Sequence, residues 1–214
     1  LKASSNKFLI VFAGPNGAGK SFASQTYLKN LGVSNSAFDW DERFLNLWRQ
    51  YDFDPMVHSG VRDRINEEFG DYIQQGFKNH EHLAYETNFH HSYNLELIRQ
   101  ALDNNYQVIL HYFYLKSIDI AISRVANRVK LGGHAVSKPD IKERFINGFV
   151  QLNEAIKLCQ YISIFDYSMD FSPKIILTKS PDKLVVHNKI PLYLFKKAPN
   201  LSVIGVTSKM IEKD

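Results

Sequence analysis

The eight residues from Gly14 to Ser21, GPNGAGKS, fit the pattern G-x-x-x-x-G-K-[ST] in full and follow directly on the apolar run KFLIVFA, Lys7 to Ala13. No other feature restricts the fold as much. A loop of this kind works by turning successive backbone N–H groups onto phosphate at a helix N-terminus, so a strand must lead into it and a helix must leave it. Gly14, Pro15, Asn16, Gly17, Ala18, Gly19, Lys20, Ser21 and the adjoining Phe22 are the expected ATP cradle. Lys20 is placed to reach the β and γ phosphates, and Ser21 to ligate Mg²⁺.

The rest of the chain continues the alternation of strand and helix that such a loop demands. Strand patterns at Lys7 to Ala13, Ser36 to Asp41, Leu83 to Thr87, Tyr106 to Leu115 and Tyr161 to Tyr167 alternate with amphipathic or polar helical stretches at Lys20 to Asn30, Arg62 to Gly76 and Tyr93 to Asn104, and from Ile118 and Ile141 onward. This predicts an α/β fold, a five-stranded parallel sheet flanked by helices. The 214 residues, 44% of them hydrophobic, suit a single P-loop kinase domain, 1–214, with its core at about 7–170 and a C-terminal addition at about 171–214. The addition carries only short β signals, around Lys174 to Thr178 and Leu184 to His187. Leu1 to Ser5 carries no initiator Met and plays no part in the inference.

Which branch of the P-loop proteins this is can be narrowed by what the other strands carry. Switch GTPases need an N-K-x-D guanine motif, and motor ATPases need a long apolar strand ending in an acid. Here the apolar strand ends in FYLKS, Phe113 to Ser117. The remaining branch, the small-molecule kinases, places a carboxylate at the end of the second strand to accept a proton from the acceptor hydroxyl. Both Asp39 and Asp41 in FDWD suit that place, and Asp41 equally suits the N-cap of a helix starting near Glu42. In the helix from Ile118, Arg124 and Arg128 are spaced i, i+4 along one flank, and Arg144 lies at the edge of the next buried stripe. The intervening KLGGHAVSKP, Lys130 to Pro139, is a candidate lid with a hinge at Gly132 and Gly133.

The ordered set GPNGAGKS, FDWDERF, YETN, SRVANRV, GGHAV and IKERF, spanning roughly Phe8 to Tyr167, resembles the zeta-toxin family of P-loop kinases, in particular its short bacterial branch. The resemblance implies ATP and Mg²⁺ as cofactors and phosphorylation of the 3′-hydroxyl of the amino sugar in UDP-N-acetylglucosamine. It also implies an antitoxin partner that blocks the ATP site. Residue by residue it makes Lys20 and Ser21 the ATP and Mg²⁺ residues, Asp41 the general base, Glu86 the acid of the acceptor site, and Arg128 and Arg144 the cations on the moving phosphoryl group. Asp39, Thr87, Asn88 and His134 fall beside the acceptor, and Arg124 beside the nucleotide. Two departures stand out: an extra residue separates the second-strand aspartate from Phe44, and Asn88 replaces a Thr.

Charge and cysteine content bear on partners. The net charge of +4 and the pI near 9.0 come from dispersed basic residues, with no tract, zinc-finger spacing or RNA-binding strand signature to favour nucleic acid. The charge balance itself suits an acidic small substrate as well as nucleic acid; the expected acceptor is small and nucleotide-linked, with nucleosides, dinucleotides and polynucleotide 5′ ends as alternatives and a non-catalytic nucleotide-binding module as the rival from another class. No apolar run reaches the length of a membrane span and no secretory leader is visible, which gives a cytoplasmic expectation. The single cysteine, Cys159, has apolar neighbours at helical spacing and reads as core. The histidine groups at His80, His82, His90 and His91 lack the spacing of a zinc site.

Overall fold

The computed structural model describes residues 7–31, 36–133, 135–169 and 173–212. Its centre is a sheet in the order β2-β3-β1-β4-β5-β6-β7. The strands are β1 (Phe8–Ala13), β2 (Phe38–Asp39), β3 (Leu83–Thr87), β4 (Gln107–Tyr114), β5 (Tyr161–Asp166), β6 (Lys174–Ser180) and β7 (Lys183–Val186). The first five are parallel, as expected from the sequence. The C-terminal addition does more than trail behind them. β6 pairs antiparallel with β5 and β7 with β6, so the sheet grows by two strands at that edge, with a register shift at Ile164/Phe165.

β1 and β4 are the most deeply buried strands, and their apolar residues are covered from both sides, as parallel strands require. The helices are α1 (Lys20–Asn30), α2 (Trp40–Arg49), α3 (His58–Asn79), α4 (Tyr93–Asp103), α5 (Ile118–Lys130), α6 (Lys138–Leu158) and α7 (Leu192–Lys197). On one face, Phe69 and Tyr72 of α3 pack on Tyr85 and Phe38, while Phe149 of α6 packs on Tyr112 and Tyr114. On the other, Tyr27 of α1 meets Phe12 and His111. Among the described residues no helix is long and apolar enough to cross a membrane.

Two local differences from the sequence expectation matter for the site. The second strand is shorter than Ser36 to Asp41, because the chain turns into α2 at Trp40. Asp39 therefore ends the strand and caps the helix, its Oδ1 accepting from the Glu42 N–H at 3.0 Å, and Asp41 sits in the helix's first turn. The polar helix expected over Arg62 to Gly76 is longer, running from His58 to Asn79.

The candidate active site

The strand order reverses around β1, whose neighbours are β3 and β4, so the C-terminal ends of these strands open into a crevice of the kind that receives ligands in open α/β sheets. The phosphate loop leaves β1 there and runs into α1. Its first residue is anchored to β3, the Gly14 N–H donating to the Thr87 carbonyl at 3.2 Å, and Ala18 N–H closes a turn onto the Pro15 carbonyl at 3.2 Å. Asn16 and Ala18 are buried, and Asn16 Oδ1 has no hydrogen-bond partner among the described residues. Gly17 has φ +76, and a Cβ there would stand 2.9 Å from Arg124 Cβ, so α5 approaches the loop as closely as a glycine permits. Gly19 precedes α1 as its N-cap in a left-handed conformation, and Phe22 projects from α1 three-quarters exposed.

Lys20 and Ser21 are held by a connected set of polar groups. Lys20 Nζ donates to the Gly14 carbonyl (2.9 Å), the Pro15 carbonyl (3.1 Å) and Asn88 Oδ1 (3.0 Å). Burial pushes the Lys20 pKa below the ordinary lysine range, while the carboxylates of Asp41, Glu86 and Asp39 pull it back up. Ser21 Oγ lies 2.7 Å from Glu86 Oε2 and 3.2 Å from Asp39 Oδ2, and Ser24 Oγ donates to Glu86 Oε1 at 2.6 Å. Burial raises the Glu86 pKa, the Ser24 hydrogen bond lowers it, and the Asp39 charge raises it further. Thr87 turns its hydroxyl to the Phe89 N–H at 2.9 Å and so shapes the bend after β3.

An implied Mg²⁺ can be tested against this donor set. A serine hydroxyl and two carboxylates converging on one point, all oxygen, fit a hard divalent cation of the Mg²⁺ type. Among the described residues no group of three or more His, Cys, Asp or Glu side chains is arranged to hold a metal, and the His90 and His91 rings meet tilted by 41° at 3.8 Å between centroids.

The two second-strand aspartates now separate. Asp39 is committed to the α2 N-terminus through one oxygen and to Ser21 through the other. Asp41 is half-buried, close enough to Lys20 to be the leading charge acting on it, and its carboxylate has no hydrogen bond among the described residues. Across the crevice, Arg124 donates to the Gly17 carbonyl at 3.3 Å. Arg128 is exposed with its charge felt at Lys20, and Arg144 is half-buried with its charge felt at His90. His90 was not singled out in the sequence as an acceptor-side residue. Burial, His91 and Arg144 together hold its pKa down at about 4 against the pull of Asp41, so it feels the charges of both Asp41 and Arg144.

Gly132 and Gly133 close α5. Gly132, at φ +85, donates to the Val129 carbonyl (3.0 Å), and Gly133 donates to the Arg128 carbonyl (2.9 Å), the reversed pair of bonds that ends a helix on a left-handed residue. A Cβ on Gly133 would fall 2.5 Å from Arg128 Cγ, so the glycine gives that arginine its space. His134 lies outside the described residues. Cys159 is buried with its thiol pushed up to about 12, a core residue and not a nucleophile.

No protein-family model matches the chain, and no curated protein matches it by sequence. Solved structures do. The AvrRxo1-ORF1:AvrRxo1-ORF2 complex with ATP aligns at TM-score 0.64 and 13% identity over 98% of this chain and 66% of that one. The same complex with sulphate ions aligns at TM-score 0.65 and 13% identity over 90% and 63%. The PezAT chromosomal toxin-antitoxin system of Streptococcus pneumoniae aligns at TM-score 0.57 and 16% identity over 80% and 72%. The fold is the α/β P-loop fold that these structures share. At these identities the likeness to zeta toxins is one of architecture. The chain spans about two thirds of the AvrRxo1 chain it matches.

Proposed function

We propose that this chain is an ATP-dependent phosphotransferase that moves the γ-phosphoryl group onto a hydroxyl of a small nucleotide-linked acceptor. UDP-N-acetylglucosamine is the first candidate, on the resemblance to zeta toxins. The observation that carries the reading is Asp41: a carboxylate with no hydrogen bond among the described residues, close to the phosphate-loop lysine, on the wall of the crevice where an acceptor would lie. A pure nucleotide-binding module has no use for it.

Each group then has one task. The loop's N–H groups and Lys20 hold the phosphates, with Lys20 exchanging its present carbonyl partners for phosphate oxygens. Ser21, Asp39 and Glu86 would hold Mg²⁺, which when bound screens charge on the β and γ phosphates. Asn88 keeps Lys20 aligned. Asp41 orients the acceptor hydroxyl and takes its proton as the oxygen forms the new bond to the γ phosphorus. The bond from that phosphorus to the bridging oxygen breaks and ADP leaves. Arg128 and Arg144 close over the transferred group, whose charge spreads onto its outer oxygens. Arg124, already seated on the loop, steadies the nucleotide side.

On the same reading the described chain works as one kinase unit, with β6 and β7 extending its sheet. With ATP and a nucleotide-linked acceptor as substrates it would work in the cytoplasm, and a protein that covers the phosphate loop would act as an antitoxin. The complexes among the structural neighbours support that last point.

Incubation with γ-labelled ATP, Mg²⁺ and a panel of UDP-sugars, nucleosides, dinucleotides and 5′-hydroxyl oligonucleotides tests the reading. Label should appear on a nucleotide-linked acceptor and vanish in Lys20→Ala. Release of labelled phosphate alone, with no acceptor labelled, would overturn it.

A further inference from the structure

Of the residues of α1 only two are fully buried, Leu28 and Ser24. Leu28 is what a helix laid on a sheet ordinarily turns inward. Ser24, 1% exposed, is not. A hydroxyl taken out of water costs stability unless a partner matches it, so a position that asked only for a small side chain would be filled as well by alanine. What Ser24 meets is the carboxylate near the end of β3: its Oγ lies 2.6 Å from Glu86 Oε1 and 3.1 Å from the Ser21 carbonyl. The hydroxyl has a single proton, and the shorter contact has the length of a charge-assisted bond to a carboxylate.

Glu86 is thus held at both oxygens by one helix, Oε1 by Ser24 and Oε2 by Ser21 at 2.7 Å. The two serines stand three residues apart and so share a face of α1. Pairing of β3 with β2 sets Glu86 level with Asp39, whose Oδ2 is 3.2 Å from Ser21 Oγ. The two holds on Glu86 differ in what else is asked of them. On the proposed reading Ser21 turns its oxygen to Mg²⁺, so its bond to Oε2 is the one that is exchanged. Ser24, one turn further along α1, has no such second duty, and its bond to Oε1 persists while Oε2 is engaged. A glutamate side chain fixed at one oxygen presents the other in one place, whereas a free one must be ordered as the cation binds.

We propose that Ser24 is a positioning residue of the Mg²⁺ site: by holding Oε1 of Glu86 it keeps Oε2 on the point shared with Ser21 and Asp39, and it sets the affinity for the cation without touching it. The inference rests on the assignment of Ser21, Asp39 and Glu86 to Mg²⁺ in the proposed function, and it is independent of which acceptor is phosphorylated. Hydrogen-bond partners of metal ligands govern metal affinity by about 10- to 100-fold.

The test is calorimetric titration of the full chain with a non-hydrolysable ATP analogue, first in EDTA and then over a series of Mg²⁺ concentrations, which reads the cation without any turnover. Wild type should bind the analogue more tightly as Mg²⁺ rises. Ser24→Ala should match wild type in EDTA and need about 10-fold or more Mg²⁺ to reach half of the tightening. Leu28→Val loosens the packing of the same helix without removing a polar group, so it should lower the thermal midpoint and keep the wild-type response to Mg²⁺. A wild-type Mg²⁺ requirement in Ser24→Ala overturns the proposal. So does a loss in Ser24→Ala that is as large in EDTA as in Mg²⁺, or a shift in Leu28→Val as large as that in Ser24→Ala, since either reduces Ser24 to a packing role. In these cases the reading of the site stands. Absence of any Mg²⁺-dependent tightening in wild type would instead remove the assignment of Ser21, Asp39 and Glu86, and this proposal with it.

Discussion

The two walls of the crevice are built on different principles. On the wall formed by β1, β2, β3 and the start of α1, the charged and hydroxyl groups are tied to one another: Lys20 to Asn88, Ser21 to Asp39 and Glu86, Ser24 to Glu86. The facing wall, α5 and α6, offers an exposed Arg128 and a half-buried Arg144 on either side of a glycine-ended turn. The first wall is organised before ligand arrives, which suits binding. The second carries its arginines on two helices, α5 ending in the bonded pair Gly132 and Gly133, and on the proposed reading it would close once both substrates are in place. Asp41 is the exception on the organised wall, a carboxylate left without a hydrogen bond among the described residues.

The largest effect should come from removing the cation of the organised wall. Lys20→Ala is expected to abolish transfer while leaving the thermal midpoint within a few degrees of wild type, measured by labelled-ATP assay and calorimetry. Retained transfer would mean that the two walls do not divide the work in this way. Next come the arginines. Arg128→Ala and Arg144→Ala should each lower kcat by about 10²- to 10³-fold with a much smaller change in acceptor KM, since their charge matters most in the transition state. Lysine should rescue poorly, lacking the planar fork. Arg124→Ala should instead raise the KM for ATP, because that side chain is already seated on Gly17. An equal loss of kcat in all three would erase the distinction.

A smaller loss, about 10-fold in kcat, is expected of Gly133→Ala, whose Cβ would press on Arg128 Cγ without touching the organised wall. Steady-state kinetics with both substrates saturating would show it.

The smallest effect concerns stability. His111 has a folded pKa of about 4 against an ordinary value of 6.5, so the unfolded chain binds more protons between these values. Its neutral form supports the fold fully above pH 6.5, and that support is lost as pH falls towards 4. Between pH 7 and pH 5 the loss should be on the order of 1–2 kcal/mol, read by urea unfolding at each pH. His111→Phe should flatten that slope.

Much of the organised wall was legible in the sequence, because its parts are local. Eight consecutive residues specify the loop, and the strand at Leu83 to Thr87 carries Glu86 to it by simple pairing with β1. What escaped is what depends on contacts between distant segments. Asn88 reads as an acceptor contact, yet in the fold its side chain is the partner of Lys20, 68 residues away. Asp39 and Asp41 are indistinguishable by spacing, since aspartate suits both a strand end and a helix cap, and only the turn at Trp40 shows which one is spent on capping. Ser24 had a signal: it stands one turn after Ser21, on the same helix face. His111 was hidden inside a largely apolar run, where a histidine gives no clue that its nitrogens lack partners among the described residues. The two antiparallel strands were visible only as fragments, because neither KIILTKS nor KLVV alternates apolar with polar residues as a strand with one solvated face does.

The most direct test of the account compares Asp41→Asn with Asp39→Asn, measuring ATP binding and single-turnover transfer on the same preparations. Asp41→Asn should bind ATP as wild type does and lose transfer by about 10²-fold or more, since only the proton acceptor has gone. Asp39→Asn should weaken Mg²⁺-dependent ATP binding and lower stability through the α2 cap, with transfer recovering as Mg²⁺ is raised. Near-normal transfer by Asp41→Asn alongside its loss in Asp39→Asn at every Mg²⁺ concentration would contradict the assignment of Asp41 as the base and the division of the crevice that rests on it.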